Sequence, residues 1–76
     1  MSLFVNNLAS TVTIYILDEL FNKYGKCNIT FRGTYAFIDY IEEKDATDAY
    51  ENLKGKIVEG QMINLEWNKH PKSEGL

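Results

Sequence analysis

Three aromatic side chains stand where they can act together. The stretch RGTYAFIDY, residues 32–40, places Tyr35 and Phe37 two residues apart, and the N-terminal stretch SLFVNNL carries Phe4. Successive side chains of a β-strand point to opposite faces, so Tyr35 and Phe37 share a face if their stretch is a strand. Their rings can stack on flat ligands. The question is whether that face is core or working surface.

The sequence contains few residues of the types that catalytic sites and metal sites need. Cys27 and His70 are the only cysteine and histidine, which excludes an internal disulfide framework and a Cys-based zinc site. No nucleophile has a base in prospect, and acids adjacent in sequence, such as Glu42 and Glu43, diverge from each other. We therefore expect no enzyme, no metal and no cofactor.

Length and composition predict one folded domain. The chain has 76 residues, of which 45% are hydrophobic and 25% charged, and its formal net charge is −3. A nucleic-acid partner would therefore need a local basic patch. No stretch approaches the roughly 20 apolar residues of a membrane span, and no signal sequence is evident, so we expect a soluble, unsecreted chain without membrane contact.

Apolar periodicity predicts two helices. Thr13 can cap the first, whose apolar residues recur at helical spacing until Gly25 stops it after about three turns. The second carries an apolar stripe on one side, acids on the other, and Gly55 at its end. Tyr15 projects away from the core stripe of the first helix, so it should be exposed.

Four alternating stretches predict strands: SLFVN, CNITF, YAFIDY and, after a loop containing Gly60, MINLEW. The second and third are joined by a short turn at Gly33 and form a hairpin. The order β-α-β-β-α-β predicts an α+β, ferredoxin-like sandwich with a four-stranded antiparallel sheet and both helices on one face.

Alternation also predicts which side chains leave the core. Each strand has an apolar set for the helix side and an opposite set of mainly polar residues, and Phe4, Tyr35 and Phe37 fall in the polar set. A contiguous exposed aromatic patch marks a binding site, and rings beside Asn, Thr and Arg suit unpaired nucleobases. The alternative is that the C-terminal segment folds back over the rings as a second small core.

These stretches resemble the RNA recognition motif family over nearly the whole chain. LFVNNL, residues 3–8, is similar to the family's six-residue motif, and GTYAFIDY, residues 33–40, to its eight-residue motif. The short hairpin turn and the EWNK ending look most like the first such domain of Ser/Arg-rich splicing factors. The octamer departs from the pattern at Gly33, where a basic residue is common, and Arg32 is the candidate substitute.

The resemblance implies single-stranded RNA binding, with Phe4 and Tyr35 stacking on bases and Phe37 lying against sugars. Around these rings we expect base-edge readers and phosphate partners, the full set of site residues being Phe4, Tyr35, Phe37, Arg32, Asn64, Asn28, Thr30 and Lys69. Lys26 and Lys72 are further phosphate candidates. Asp39 and Glu66 share the face, where they would repel phosphate or accept hydrogen bonds from base amino groups.

Residues 1–69 are predicted to form this domain and residues 70–76 a flexible tail. The resemblance further implies a nuclear location, possible shuttling to the cytoplasm, and a part in pre-mRNA splicing with other RNA-processing proteins. The competing hypothesis is a protein-interaction module of the same fold, supported by the acidic balance and by Tyr15 beside Asp18 and Glu19.

Overall fold

The computed structural model describes residues 2–68, which form two helices packed on one face of a four-stranded sheet. The elements are β1 (Ser2–Asn6), α1 (Ile14–Phe21), β2 (Cys27–Phe31), β3 (Ala36–Tyr40), α2 (Glu43–Leu53), β4 (Ile57–Val58), β5 (Gln61–Met62) and β6 (Asn64–Asn68). The large sheet has the antiparallel order β2-β3-β1-β6. This is the predicted ferredoxin-like sandwich. The predicted tail, residues 70–76, lies outside the described residues.

Helix α1 begins as predicted and ends earlier. The Thr13 hydroxyl accepts a hydrogen bond from the Ile16 amide at 3.3 Å, which caps the first turn. The helix stops at Phe21, after little more than two turns, and Gly25 lies in the turn beyond it. Beyond it the helical bonds give way to tight turns, in which the Tyr24 amide donates to the Phe21 carbonyl at 3.2 Å and the Gly25 amide to the Asn22 carbonyl at 3.3 Å. The Asn22 side-chain amide donates to Asp18 at 2.6 Å, and its oxygen accepts from the Cys27 amide at 3.2 Å. These bonds lead the chain from the helix into β2.

Helix α2 ends close to its predicted stop. Lys54 has φ −59° and ψ 123°, Gly55 has φ 75°, and the Lys56 amide donates to the Leu53 carbonyl at 3.0 Å. These values describe a type II turn, whose third residue needs the positive φ that glycine adopts readily. Gly55 therefore turns the chain out of the helix toward β4.

A small hairpin formed by β4 and β5 stands where the sequence predicted only a loop. Glu59 and Gly60 have φ 54° and 82°, the signature of a type I′ turn joining two strands. Met62 pairs with Ile57 in this hairpin, so the last strand of the large sheet begins at Asn64 rather than Met62. Asn7 holds the hairpin to the end of β1, because its side chain donates to the Met62 carbonyl at 2.7 Å.

The core lies between the helices and the inner face of the sheet. The inward sets of the central strands β1 and β3 are buried, as predicted: Leu3, Val5, Ala36, Ile38 and Tyr40. Ile63, immediately before β6, and Leu65 within it are buried as well. They pack against Leu17 and Phe21 of α1 and the alanines of α2. The buried Tyr40 hydroxyl donates to the Phe21 carbonyl at 2.5 Å, which satisfies its polar end. No helix within residues 2–68 is long and apolar enough to cross a membrane.

Candidate nucleic-acid interface

Phe4, Tyr35 and Phe37 form one cluster on the face of the sheet turned away from the helices, called here the outer face. Phe4 and Phe37 are directly opposite in the β1–β3 register, and their ring centroids are 5.2 Å apart. Tyr35 lies 5.9 Å from each of them. Tyr35 is 39% exposed, and the two phenylalanines are half-buried. The predicted division of β3 between core and surface is therefore present in the structure.

The three rings offer several stacking planes rather than one plate. Tyr35 and Phe37 are nearly perpendicular, at 87°, whereas Phe4 is tilted by 39° to Phe37 and by 50° to Tyr35. A flat ligand stacked on Tyr35 therefore meets Phe37 edge-on. This arrangement suits consecutive flat groups on a flexible chain, each of which can take its own orientation.

Polar side chains border the rings on the β2 side. Asn28 is opposite Asp39, and Thr30 is opposite Phe37, in the β2–β3 register, and both Asn28 and Thr30 are exposed. Asp39 is itself opposite Ser2, whose hydroxyl donates to its Oδ1. The structure thus places the predicted residues Asn28 and Thr30 beside the ring cluster, with their donors and acceptors in solvent.

A second polar border runs along β6. Asn64 is opposite Asn6, and Glu66 is opposite Phe4, in the β1–β6 register. The Asn64 side-chain amide donates to Glu66 Oε2 at 3.1 Å, so the two exposed side chains are joined across one intervening residue. Asn64 therefore lies where it was predicted, with a carboxylate fixed beside it.

Of the four predicted basic groups, the structure describes Arg32 and Lys26, and Lys26 is exposed immediately before β2, while Lys72 lies outside the described residues. Arg32 is the one beside the hairpin turn. It is exposed in the β2–β3 turn, where its amide donates to the Tyr35 carbonyl at 2.8 Å. Gly33, which follows, has φ 87° and open space where a side chain would stand. The turn thus brings Arg32 to the Tyr35 end of the ring cluster. Lys69 lies outside the described residues.

Trp67 belongs to the other side of the sheet. It is opposite the buried Leu3 and two residues beyond the buried Leu65, and its ring packs against Tyr50 of α2 with centroids 5.1 Å apart. The sequence also predicts contacts at the end of the sheet from side chains or backbone groups around Trp67 to Lys69. Side chains alternate along β6, so Trp67 points to the same side as the buried Leu65 and its side chain does not reach the outer face. The alternation seen in the sequence at Leu65, continued to Trp67, predicts this.

The remaining reactive side chains, Cys27 and Tyr40, point into the core, and their burial makes them harder to ionise. Burial raises the pKa of the Cys27 thiol to about 11, so the thiol is protonated and weakly nucleophilic near neutral pH. Burial also raises the pKa of Tyr40, its inward neighbour across the β2–β3 pair. Within residues 2–68, no group of three His, Cys, Asp or Glu side chains is arranged to hold a metal ion.

Comparison with known proteins identifies the family. The RNA recognition motif pattern matches residues 3–64, which include the helices, the small hairpin and nearly all of the aromatic outer face. This match covers well over half of the chain. The chain therefore belongs to the RNA recognition motif family.

Its relatives are much longer RNA-associated proteins. The chain is 41% identical over 70 residues to heterogeneous nuclear ribonucleoprotein Q of Homo sapiens, covering 91% of this chain and 11% of that protein. It is 32% identical over 65 residues to the serine/arginine-rich splicing factor RS2Z32 of Arabidopsis thaliana, covering 84% and 23%. The predicted likeness to Ser/Arg-rich factors thus has a counterpart among the relatives. The chain spans about a tenth to a quarter of these relatives' length.

Solved structures show the same fold. The Caenorhabditis elegans NONO-1 homodimer matches with a TM-score of 0.84 at 30% identity, over 91% of this chain and 29% of that one. The RNA recognition motif domain of Schizosaccharomyces pombe Puf1 matches with a TM-score of 0.82 at 22% identity, over 91% and 97%. The second likeness, at its low identity, concerns the fold alone.

Proposed function

We propose that this domain binds short single-stranded RNA on its outer face, by equilibrium binding without bond chemistry. The observation that carries the proposal is the cluster of Phe4, Tyr35 and Phe37, whose rings lie within 5.9 Å of one another on a partly exposed sheet face. Exposed rings of this kind stack on unpaired bases, at roughly 1 to 3 kcal/mol per base. RNA binding is also the activity for which the family is named.

Each part of the outer face has a role in this proposal. Phe4 and Tyr35 each stack on a base, and Phe37, half-buried beside them, contacts the sugars. Asn28, Thr30 and Asn64 read base edges from the two borders. Arg32 contacts a phosphate at the Tyr35 end, in place of the basic residue absent at Gly33. Lys26, Lys69 and Lys72 are the further phosphate partners.

The cellular role we propose is nuclear pre-mRNA processing, with splicing proteins as partners. It is supported by the relatives, which include a protein named as a heterogeneous nuclear ribonucleoprotein and another named as a splicing factor. The domain supplies RNA contact, and no catalytic step is assigned to it.

The decisive experiment replaces Tyr35, which immediately precedes β3, together with Phe37 within it. We expect Tyr35→Ala combined with Phe37→Ala to weaken binding to a fluorescent pool of short random RNAs by roughly tenfold or more, because one base-stacking contact and one sugar contact are lost. Tyr15→Ala is the matched control, since Tyr15 is 81% exposed on the helix side of the domain. Anisotropy titrations give the affinities, and circular dichroism checks that both variants are folded.

A partner protein on the helices is the second candidate, favoured by the exposure of Tyr15 beside the acids Asp18 and Glu19. An NMR titration with the same RNA pool separates the two. Shifts on the outer face support RNA binding there. Chemical-shift changes confined to α1 and α2, with none on the outer face, would contradict the proposed function.

A further inference from the structure

Glu66 lies where its carboxylate can hydrogen-bond to the edge of a base stacked on Phe4. The two residues are direct partners in the β1–β6 register, and both belong to the outer face. Side chains opposite each other in an antiparallel pair have Cβ atoms about 5 Å apart. A base lying on the Phe4 ring therefore extends its edge toward the Glu66 carboxylate.

We propose that Glu66 selects a base with an exocyclic amino group on Phe4, namely cytosine, adenine or guanine, and disfavours uracil. This inference rests on the proposed function, since it specifies which RNA the same face prefers. It assigns a base preference to one residue of β6.

The acceptor-only carboxylate of Glu66 fixes the sign of the preference. The Asn64 amide nitrogen donates one of its two hydrogens to Glu66 Oε2 at 3.1 Å, which holds the carboxylate beside Asn64. An ionised carboxylate has lone pairs to spare on both oxygens. Glu66 therefore presents acceptors to the base, and an amino group is the complementary donor.

The four bases differ at the edge that meets these acceptors. Cytosine and adenine each present an amino group, and guanine presents an amino group beside a ring N–H. Uracil presents two carbonyl oxygens flanking its single N–H. A uracil carbonyl turned toward Glu66 places one acceptor against another. Neither acceptor then has a hydrogen-bond donor, although both have lost their hydrogen bonds to water, and this weakens binding.

Asp39, the other carboxylate of the outer face, lacks this placement. Its β1 partner is Ser2, and the Ser2 hydroxyl donates to its Oδ1. No ring stands directly opposite it, as Phe4 stands opposite Glu66. Asp39 is therefore the natural comparison for Glu66, with the same charge on the same face.

The test compares the affinities of cytidine and uridine heptamers for the wild-type domain and for Glu66→Gln. We expect the wild type to bind the cytidine heptamer about tenfold more tightly, as one good carboxylate–amino contact allows. Glutamine can donate to a uracil carbonyl, so Glu66→Gln should reduce that ratio to about twofold or less. A heptamer of 2-pyrimidinone ribonucleotides, which lack the amino group, should bind the wild type about as weakly as uridine.

Two variants separate base reading from charge. Glu51→Gln and Asp48→Asn, both exposed on α2, each remove one negative charge, as Glu66→Gln does, and they should change both affinities while leaving the ratio at about tenfold. If either control lowers the ratio as much as Glu66→Gln, the preference is an effect of charge and the assignment to Glu66 is wrong.

The outcomes also separate this inference from the function on which it rests. If Tyr35→Ala with Phe37→Ala abolishes binding and the cytidine-to-uridine ratio is the same in wild type and Glu66→Gln, the outer face binds RNA and Glu66 does not select the base. If the wild type binds neither heptamer nor the random pool, the proposed function fails and this inference fails with it.

Discussion

Adjacent residues of β3 have opposite roles because the strand alternates. Ile38 is fully buried under the helices, and Phe37 beside it contributes its ring to the outer face. Strand alternation also decides the environment of two ionisable side chains, Cys27 and Tyr40, which are opposite each other at the end of the β2–β3 pair. Their side chains point inward, and burial raises the pKa of both. The face to which a residue points thus decides its chemistry.

The Cys27 thiol should react slowly in the folded domain. At pH 8 we expect alkylation by iodoacetamide to be about tenfold slower than in the urea-unfolded chain. A pKa raised from 9.0 to about 11 lowers the thiolate fraction about a hundredfold, and the greater nucleophilicity of a more basic thiolate offsets part of that loss. Mass spectrometry of quenched samples gives both rates. Equal rates in the folded and unfolded chain would contradict the raised pKa.

The same shift has a defined effect on stability. The folded chain keeps the Cys27 proton between pH 9 and 11, where the unfolded chain releases it, so unfolding becomes easier as pH rises through this window. The contribution is fully present below pH 9. Tyr40, whose pKa is also raised, acts in the same direction at higher pH.

At the scale of elements, side chains and glycines in the turns decide where helices stop. After Phe21, α1 gives way to tight turns, and the Asn22 side-chain oxygen there accepts from the Cys27 amide of β2; Gly55 ends α2 through a type II turn. Gly25 has a further constraint. A Cβ placed on it would collide with the Asp45 side chain at the start of α2, so the turn after α1 packs directly on the second helix.

Gly25→Ala should therefore destabilise the domain more than Gly33→Ala. Both glycines have positive φ, 154° and 87°, but a Cβ at Gly33 meets nothing within 4 Å. We expect Gly33→Ala to cost about 1 kcal/mol, from backbone strain alone, and Gly25→Ala to cost about 1 to 3 kcal/mol more because packed groups must move. Urea unfolding measures both free energies.

Asp45→Ala provides the control for this comparison. In the Gly25→Ala background it shortens the colliding side chain, so the double variant should recover part of the lost free energy relative to the sum of the single changes. If the free-energy losses of the two single variants simply add in the double variant, the Asp45 side chain does not contribute to the cost of Gly25→Ala, and the prediction is wrong.

Over the whole molecule, the charges are unevenly divided between the two layers. Two acids in α1 and five at the start of or within α2 make seven of the chain's eleven acids, and they lie in the helix layer. The described outer face carries Arg32 together with Asp39 and Glu66. With a net charge of −3, the domain has little electrostatic attraction for a polyanion.

RNA binding by the domain alone should accordingly be weak and only modestly salt-dependent. Each phosphate neutralised on a single strand contributes about −0.7 to the slope of log affinity against log salt, and the candidate partners are Arg32, Lys26, Lys69 and Lys72. We expect a slope no steeper than about −3 between 50 and 300 mM KCl, measured by anisotropy. A slope steeper than about −4 would mean that more phosphates are neutralised than these four residues explain.

The sequence by itself determined the fold class, the element order and the division of each strand between core and outer face. These follow from local periodicity: β3 alternates between inward Ala36, Ile38 and Tyr40 and outward Phe37 and Asp39. Thr13 and Gly55 mark helix ends close to where the structure has them. A side chain's face depends only on its neighbours along the strand. Fold and face were therefore predictable.

Other features depended on partners distant in the sequence, so only the tertiary structure decided them. The contact that holds the β4–β5 hairpin to Asn7 and the contact of Gly25 with Asp45 each join residues that no local pattern connects. The same holds for the outer face, where the register places Phe4 between Phe37 and Glu66. The sequence predicted these groups one by one; strand pairing decided which of them meet, because register is set by the packing of the whole sheet.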